Sequence, residues 1–494
     1  MALAGLDVGT SGVKCGVFTE GGRQIGFSKI EYAVLAEAGR YELNAEMVWN
    51  KARLVLQKAA REAGEPIDGL AISALGEAGV PLDDGDRPLA NAILFNDERG
   101  KEESLLLAER LGRERIFEIT GVVSNGTYSI EKLMWIRRHA PYYKKIHKFL
   151  LFEDYLIYQL TGSAVISHSL AARTMALEVV NKRWSKEIFS AAGVDSSLMS
   201  TTRPSGTVVG QIRPALAAEL GIHPSMRVVT GGHDGWCCAA GAGLLDSSVS
   251  VNVSGTCETL SFLMESPRRE PFMYQGNYNC TPYVLGDGYG TSALGLTSGS
   301  LVRWFRDCFY KGSPLLDRNF YQAMDADVPP RPSGILVVPS FSVSGTPDFS
   351  LDAKGLIEGL TLTTSQHDIY KALMEGTAYH MRLNRELLQK HGICANTVKT
   401  VGGASVSPVW MQIKADILGL DIETVQGNET GVIGCAMLAG LALKKYRSPR
   451  EAVAVFVKKG AVYSPNSQYQ ESYNQLYRRY QQLLEYNKDL NPKE

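Results

Sequence analysis

The stretch "LAGLDVGTSGVKCGVF", residues 3–18, decides the fold class of this chain. Two apolar runs flank a Gly-Thr-Ser-Gly turn, which predicts two antiparallel strands joined by a hairpin. The turn offers backbone N–H groups and two hydroxyls without bulky side chains, and phosphate oxygens need such donors at close range. An ordinary hairpin without a ligand explains the turn equally well, because Gly-Thr turns are common.

Charged residues beside this turn favour the phosphate interpretation. Lys14, on the second strand, can add a positive charge to the donors of the turn, which are Thr10, Ser11 and Gly12. Asp7 lies near the end of the first strand and faces the same turn. A carboxylate beside a phosphate is unfavourable unless a cation lies between them, so Asp7 indicates Mg²⁺, held through water.

A second copy of the pattern appears in the other half of the chain. The stretch "SSVSVNVSGTCETLSFL", residues 247–263, again predicts strand, turn and strand. Its turn residues Gly255 and Thr256 are placed to hold phosphate from the opposite side. The repetition indicates a duplicated domain, with an N-terminal domain of residues 1–245 and a C-terminal domain of residues 246–494.

A third glycine turn follows in "VGGASVSPVWMQIKADILGL", residues 401–420. Gly402 and Gly403 come after an apolar strand, Ser407 is a favourable helix N-cap, and Pro408 suits the first helical position. A strand, a glycine turn and a helix start can admit a nucleotide. The turn is neither a Walker A loop nor G-x-G-x-x-G, so those folds lose support. Three such turns in two half-chains imply a cleft between the domains, with a nucleotide lying across it.

The remaining sequence is that of a mixed α/β protein. Residues 45–61 have helical periodicity, "IDGLAISAL" and "LANAILFND" predict strands, helices are expected over most of 101–160, and a terminal amphipathic helix is expected after Ser464. A chain of 494 residues needs two or more domains. The net charge of -1 gives no support to a nucleic-acid partner or an acidic membrane surface.

Other patterns argue against a membrane or disulfide-rich protein. The longest apolar run, "VIGCAMLAGLAL" from Val432, is shorter than the ~20 residues that a membrane span needs, so it predicts a core helix. The eight cysteines form no C-x-x-C pair. Reduced thiols and a cytoplasmic location are therefore expected.

The stretch "TGGHDGWCCAAGAG", residues 230–243, places metal-binding and nucleophilic side chains together. A metal site at His233, Asp234, Cys237 and Cys238 lacks a second ligand cluster at zinc spacing. A cysteine nucleophile needs a partner base, and His233 is too close in sequence to be presumed correctly placed. Asp234 follows an apolar strand whose end faces the expected cleft. A carboxylate there can accept a hydroxyl proton during phosphoryl transfer.

Six stretches, taken in their order along the chain, resemble the FGGY carbohydrate kinases of the actin-like ATPase superfamily. They are "GLDVGTSGVKCGVF", "NAILFNDERG", "EDYLIYQLTG", "GGHDGWCCAAGAG", "VSGTCETL" and "VGGASVSPVWMQIKADILG". The resemblance covers nearly the whole chain. It implies two actin-like, ribonuclease H-like domains, each a mixed sheet flanked by helices, with ATP·Mg²⁺ and a sugar in the cleft.

The resemblance also assigns roles by position. Asp234 matches the catalytic base. The nucleotide-binding and metal-binding positions correspond to Asp7, Thr10, Ser11, Gly12, Lys14, Gly255, Thr256, Gly299, Gly402, Gly403 and Ser407, with Asp7 on the Mg²⁺ side. The sugar-binding positions correspond to Gly76, Glu77 and Asp97, beside Asp234. Asp97 either binds sugar or holds Arg99.

Departures from the family pattern leave the substrate open. Xylulokinases have Met-His-Gly where this chain has Gly76, Glu77 and Ala78, and glycerol kinases have Arg-Glu there and Gln in place of Gly235. We expect a ketose such as xylulose, with a polyol as the alternative. A non-sugar actin-like ATPase and an inactive sugar-binding regulator are the rivals from other classes. A second copy of the chain, forming a homodimer, is a candidate partner.

Overall fold

The computed structural model describes residues 2–313, 316, 319–350, 352–427 and 429–491. In the N-terminal half the strands are β1 (Ala2–Val8), β2 (Gly12–Thr19), β3 (Gln24–Glu31), β4 (Leu35–Glu37), β5 (Arg40–Leu43), β6 (Ile67–Ala74), β7 (Gly79–Leu82), β8 (Ala92–Ile93), β9 (Lys148–Leu151), β10 (Val165–Ser167), β11 (Leu177–Glu178), β12 (Arg183–Trp184), β13 (Thr201–Arg203), β14 (Val208–Gln211) and β15 (Arg227–His233). The helices are α1 (Ala45–Ala63), α2 (Lys101–Leu111), α3 (Arg113–Thr120), α4 (Ser129–His139), α5 (Phe152–Thr161), α6 (His168–Ala171), α7 (Lys186–Ala192), α8 (Pro214–Leu220) and α9 (Asp234–Gly241).

The C-terminal half has fewer strands and longer helices. Its strands are β16 (Val249–Ser254), β17 (Glu258–Met264), β18 (Thr281–Pro282), β19 (Tyr289–Gly295), β20 (Leu336–Val338), β21 (Leu356–Glu358), β22 (Thr397–Val401), β23 (Asp421–Val425) and β24 (Lys459–Tyr463). Its helices are α10 (Pro271–Gln275), α11 (Gly299–Phe309), α12 (Phe320–Ala326), α13 (Gln366–Lys390), α14 (Pro408–Leu418), α15 (Thr430–Ala442), α16 (Pro449–Phe456) and α17 (Gln470–Leu490).

The principal sheets of the two halves share one topology. The first has the order β14-β15-β6-β1-β2-β3, and the second contains β24-β23-β22-β16-β17-β19. In each sheet the third strand in this order, β6 or β22, pairs in parallel with both of its neighbours, and the other pairings are antiparallel. The repeated strand-turn-strand units, β1-β2 and β16-β17, occupy equivalent places. The predicted α/β class with two mixed sheets is confirmed.

Helix α15 joins the halves. It lies in the C-terminal half of the sequence but packs on β1 and β6 of the first sheet and on α9. Its residues are apolar on every side, as a helix buried between two layers requires. Among the described residues, no helix is long and apolar enough to cross a membrane.

One sequence prediction of a strand is largely wrong. In "LANAILFND" only Ala92–Ile93 pairs, as β8 against β5. The chain then turns, because the Asp97 N–H donates to the Leu94 carbonyl oxygen at 3.2 Å. The Asp97 carboxylate also accepts the Tyr41 N–H at 2.6 Å, which fixes the turn against β5.

Candidate active site

The first turn lies at the end of β1, with Asp7 on its inner side. The Gly9 N–H donates to the Gly12 carbonyl oxygen at 2.9 Å and closes the turn. Ser73, on the neighbouring strand β6, donates its hydroxyl to Asp7 Oδ1 at 2.6 Å. Burial raises the pKa of Asp7, and the bond from Ser73 opposes that shift. Asp7 is therefore a positioned carboxylate at the mouth of the turn.

Lys14 has a partner from the other half of the chain. Its Nζ lies 2.7 Å from Oε2 of Glu429, the residue that precedes α15. The ion pair is partly exposed, with both side chains 29% accessible. Glu429 also raises the pKa of Asp7 through its negative charge. An anionic ligand at this turn would compete with Glu429 for Lys14.

Asp234 occupies the point where β15 ends and α9 begins. Its Oδ1 accepts the Gly235 N–H at 2.6 Å, and His233 Nε2 lies 3.2 Å away. Burial, followed by the charge of Asp7, raises the pKa of Asp234 to about 7, and Glu77 adds a smaller shift in the same direction. The side chain remains 37% exposed. A carboxylate with this pKa can accept a proton near neutral pH.

Glu77 lies in a strained and buried position near Asp234. Its φ of 67° places a non-glycine residue in the left-handed region, which is costly and recurs at functional sites. Ser129 holds the strained backbone by donating its hydroxyl to the Glu77 carbonyl oxygen at 2.7 Å. Arg173 Nε donates to Glu77 Oε1 at 2.6 Å. Burial raises the pKa of Glu77, and the charge of Arg173 opposes that shift.

Arg173 fits this position because residue 76 is glycine. A Cβ atom at Gly76 would lie 3.2 Å from Arg173 Nε and 3.3 Å from His233 Cδ2. The guanidinium also stacks over the ring of Tyr128, with its Cζ 5.2 Å from the centroid. Burial and the charge of Arg173 hold the pKa of His233 well below its usual range, so this imidazole is neutral.

Asp97 uses both carboxylate oxygens inside the protein. Oδ1 accepts from the N–H and Nε of Arg99, and Oδ2 accepts from Arg99 Nη2 at 2.7 Å. Arg99 pairs in turn with Glu42 at 2.8 Å. This geometry matches the alternative in which Asp97 holds Arg99.

The second turn lines a cavity of about 370 Å³ in the C-terminal half. Five of the predicted nucleotide-binding residues lie on its wall: Gly255, Thr256, Gly299, Gly403 and Ser407. Apolar and aromatic side chains and one arginine complete the wall: Val302, Arg303, Tyr321, Tyr370, Ala404, Val406 and Trp410. A phosphate turn at one side and an apolar wall at the other suit a nucleotide.

Helix α11 begins directly against the second turn. The Gly299 N–H donates to the Gly255 carbonyl oxygen at 2.9 Å, and the Ser300 N–H donates to that of Thr256 at 3.1 Å. A Cβ atom at Gly299 would lie 2.5 Å from the Gly255 oxygen, so only glycine permits this approach.

The third turn connects β22 to α14 as the sequence predicts. A 3₁₀ turn, Gly403–Val406, leads to Ser407, whose hydroxyl accepts the Trp410 N–H at 3.1 Å as the helix N-cap. Pro408 takes the first helical position. Gly402 precedes the turn with a φ of 98°.

Family models match both halves of the chain. The N-terminal domain of the FGGY family of carbohydrate kinases matches residues 2–241, and its C-terminal domain matches residues 251–443. The chain belongs to the FGGY family of carbohydrate kinases. As an FGGY kinase it phosphorylates a carbohydrate at the expense of ATP.

The proteins that are similar to this chain are named for different substrates. The xylulose kinase of Bacillus subtilis (strain 168) is 26% identical over 99% of this chain and 98% of its own length. The crystal structure of a xyloylose kinase from Brucella ovis has a TM-score of 0.91 at 24% identity, over 99% of this chain and 100% of the other. That of Plasmodium falciparum glycerol kinase with ADP has a TM-score of 0.89 at 19% identity, over 98% of each chain.

The cysteines of this FGGY kinase differ in their surroundings. Cys237 is fully buried, as expected for a core residue. Cys238 is partly exposed, and its Sγ lies 2.9 Å from Thr430 Oγ1 on α15. Burial raises the pKa of the Cys238 thiol to about 11, so it is protonated at neutral pH. Among the described residues the one cluster of three potential metal ligands is Glu102, Glu103 and His139, outside this stretch.

Sequence reasoning missed three residues that contact the candidate site residues: Arg173, Glu429 and Asp325. Arg173 lies 96 residues from Glu77 in sequence, and no local pattern connects them. Glu429 lies outside the six recognised stretches. Asp325, on α12, accepts the Ser407 hydroxyl at 2.7 Å across 82 residues of sequence. Each is a charged residue whose partner comes from a distant segment, so only the fold brings the pair together.

Proposed function

We propose that this FGGY kinase transfers the γ-phosphoryl group of ATP to a hydroxyl of a small neutral sugar, with a ketose such as xylulose favoured. Asp234 serves as the general base, and its raised pKa at a strand end is the observation that carries the proposal. The carboxylate takes the hydroxyl proton while the oxygen attacks phosphorus in line. Burial, with the added charges of Asp7 and Glu77, raises the pKa of Asp234 and makes it basic enough for this transfer.

The two turns divide the nucleotide between them in this proposal. Adenosine occupies the cavity beside Ser407 and Gly403, and Thr256 meets the phosphates from the C-terminal half. Thr10, Ser11 and Lys14 meet them from the N-terminal half. Closure of the cleft around both substrates would exclude water, which otherwise accepts the phosphoryl group.

The residues around Asp7 suit a magnesium ion. The charge of Glu429 acts on Asp7, and the charge of Asp7 acts on Asp234. Carboxylate oxygens around Asp7 are the ligands that a hard divalent cation takes. Mg²⁺ would neutralise phosphate charge when bound. Asp7, kept in place by Ser73, would orient the waters around the ion.

The charge of the sugar pocket supports a neutral acceptor. Glu77 and Arg173 neutralise each other, so Asp234 and Asp7 leave the surroundings negative. A sugar acid would bring a further carboxylate into this field. The paired groups can accept and donate hydrogen bonds to neighbouring hydroxyls of a ketose or polyol. Relatives with xylulose in their names favour the ketose, and Glu77, which glycerol kinases share, keeps a polyol as the alternative. The cytoplasmic location and the homodimer stay predictions.

An ATP-consumption screen against ketoses, polyols and sugar acids tests the proposal. We expect a ketose with a terminal hydroxyl to give the highest kcat/KM, with polyols weaker and sugar acids inactive. A preference for a sugar acid would contradict the charge argument. ATP hydrolysis unaffected by any sugar would contradict the assignment of Asp234 as the base for a carbohydrate hydroxyl.

A further inference from the structure

Lys14 carries one positive charge close to two carboxylates. Lys14, on β2, stands opposite Asp7 on β1, so the two side chains lie on the same face of the sheet. The Lys14 Nζ lies 2.7 Å from Glu429 Oε2. Burial raises the pKa of Asp7, the charge of Lys14 opposes this shift, and the charge of Glu429 adds to it. The three groups therefore form one electrostatic cluster, in which a single cation balances two acids.

The start of α15 brings Glu429 to this cluster. A Cβ atom at Gly431 would lie 2.8 Å from Asp7 Oδ2, so glycine lets the first turn of the helix meet the Asp7 carboxylate. Glu429 is the N-cap residue of α15, but its side chain makes no capping hydrogen bond. Both side chains of the Lys14 pair are 29% accessible, so solutes can reach them. The Glu429 carboxylate is thus spared by the helix and open to exchange of its partner.

A phosphate group that takes Lys14 leaves Glu429 without its counter-charge. Glu429 and Asp7 then face the added anion, and like charges at short range repel each other. Glu429 can be balanced again by a divalent cation that arrives with the nucleotide. Binding of free nucleotide is therefore opposed more strongly than binding of its magnesium complex.

We propose that Glu429 makes this kinase select the magnesium complex of ATP over free ATP, because nucleotide binding takes Lys14 away from Glu429. This rests on the proposed function, in which Lys14 meets the phosphates. Glu429 is a positioning residue in this account, since it acts through Lys14 and does not line the nucleotide cavity.

Calorimetry with the β,γ-imido analogue of ATP, in excess MgCl₂ and in EDTA, measures the preference as a ratio of dissociation constants. Glu429→Gln keeps the size of the side chain and removes its charge. We expect this variant to bind the free analogue about threefold or more tightly than the wild type, the effect of releasing a partly exposed ion pair. Its affinity for the magnesium complex should change less, so the preference should fall. An unchanged ratio in folded Glu429→Gln would overturn the proposal.

Glu31 provides a matched control. It pairs with Lys29 at 2.7 Å, and in the sheet it stands opposite Gly12 of the first turn, while Lys29 stands opposite Lys14. Glu31→Gln removes the same charge from an ion pair of the same length. The Glu31 side chain is 74% exposed and screened by solvent, so the ratio should keep its wild-type value. An equal fall in both variants would show that net charge near the turn sets the preference, and would overturn the role of Glu429.

A Lys14→Met background separates the loss of Lys14 from direct repulsion of the phosphates. If Glu429 acts through Lys14, Glu429→Gln should gain less affinity for the free analogue in this background than in the wild type. The full gain in Lys14→Met would overturn the exchange. Glu429→Asp keeps the carboxylate and should keep more of the wild-type ratio, whereas a ratio as low as that of Glu429→Gln would contradict a role for the charge.

Failure of this inference differs from failure of the proposed function. No binding of the analogue to the wild type, with or without MgCl₂, would overturn the nucleotide site itself and the inference with it. Binding that persists in Glu429→Gln with an unchanged ratio would overturn only the role of Glu429. Circular dichroism of each variant establishes that the ratios refer to folded protein.

Discussion

The two strand-turn-strand units of this kinase share one fold and use charge in opposite ways. In the first, Asp7 and Lys14 face the cleft, and Lys14 is 29% exposed in its pair with Glu429. In the second, the equivalent strand β16 contains no charged residue, and Asn252, two residues before its end, is buried. The ionic group there is the pair of Lys414 and Glu258, both at most 3% exposed.

The buried pair of Lys414 and Glu258 is hydrogen-bonded to the residues on either side of the second turn. Lys414, on α14, donates to Asn252 Oδ1 at 2.7 Å and Ser254 Oγ at 3.0 Å, besides Glu258. Glu258 accepts the Ser298 hydroxyl at 3.3 Å, which links the network to the start of α11. The first unit thus has a partly exposed ion pair and the second a buried one. Under the proposed function, the first unit presents charge to the substrates, while the second uses charge to position the nucleotide cavity.

The largest effect is expected when the proposed general base of the N-terminal half, Asp234, is replaced. Asp234→Asn keeps the size of the side chain and removes its basic oxygen. We expect kcat to fall by a factor of roughly 10²–10⁴ or more, because general-base catalysis typically contributes a factor of this size. ATP affinity, measured by calorimetry, should change little because the cavity lies in the other half. Near-normal kcat would remove Asp234 from the chemistry.

The second half is tested by breaking its buried pair. Lys414→Met leaves Glu258 buried without a counter-charge, and we expect a loss of about 3–5 kcal/mol in the free energy of unfolding. Lys459→Met breaks a pair with Glu423 in which the lysine is 64% exposed, and we expect a much smaller loss because solvent screens that pair. Urea unfolding of both variants measures the difference. Adding Glu258→Leu to Lys414→Met should recover much of the loss. Equal costs for the two lysines would contradict the supporting role of the buried network.

Replacing Glu77 should have a smaller effect, which is confined to the affinity for the sugar. Glu77→Ala should weaken binding of the true substrate by about 1.5–3 kcal/mol, the range for a hydrogen bond to a charged group. The penalty should shrink for the deoxy analogue that lacks the contacted hydroxyl. Calorimetry with a series of deoxy analogues measures this, and a uniform penalty across the series would show that Glu77 acts only through Arg173 and the fold.

The smallest effect is expected at Cys238, beside the first unit. Cys238→Ser keeps a group that can bond to Thr430, and the thiol is protonated at neutral pH. Turnover should therefore stay close to that of the wild type. A strong loss of kcat in the folded variant would reopen a role for the thiol.

Local signals explain which parts of this molecule could be predicted from its sequence. Periodicity and the two glycine-threonine turns predicted β1-β2 and β16-β17, and Ser407 with Pro408 predicted the start of α14. The placement of α15 on the first sheet could not be predicted. An apolar sequence on every side of a helix indicates that the helix is buried, but it does not indicate which element the helix packs against.

The candidate site divides in the same way. Asp234 was accessible to sequence reasoning because its position after an apolar strand points to a cleft. Arg173 and Lys414 were not, since each takes its place through a partner about 100 residues away or more. The strand predicted at "LANAILFND" failed because the Asp97 side chain bonds to backbone N–H groups and turns the chain.

The pH dependence of kcat/KM tests the central claim, that Asp234 is the general base, most directly. Its carboxyl must be deprotonated to accept the hydroxyl proton, and its pKa in the free enzyme is raised to about 7. Activity should therefore rise with pH through a midpoint near this value, and Asp234→Asn should lose that limb of the profile while keeping ATP binding. A profile that stays flat across this range, or one whose limb survives in Asp234→Asn, would contradict the account.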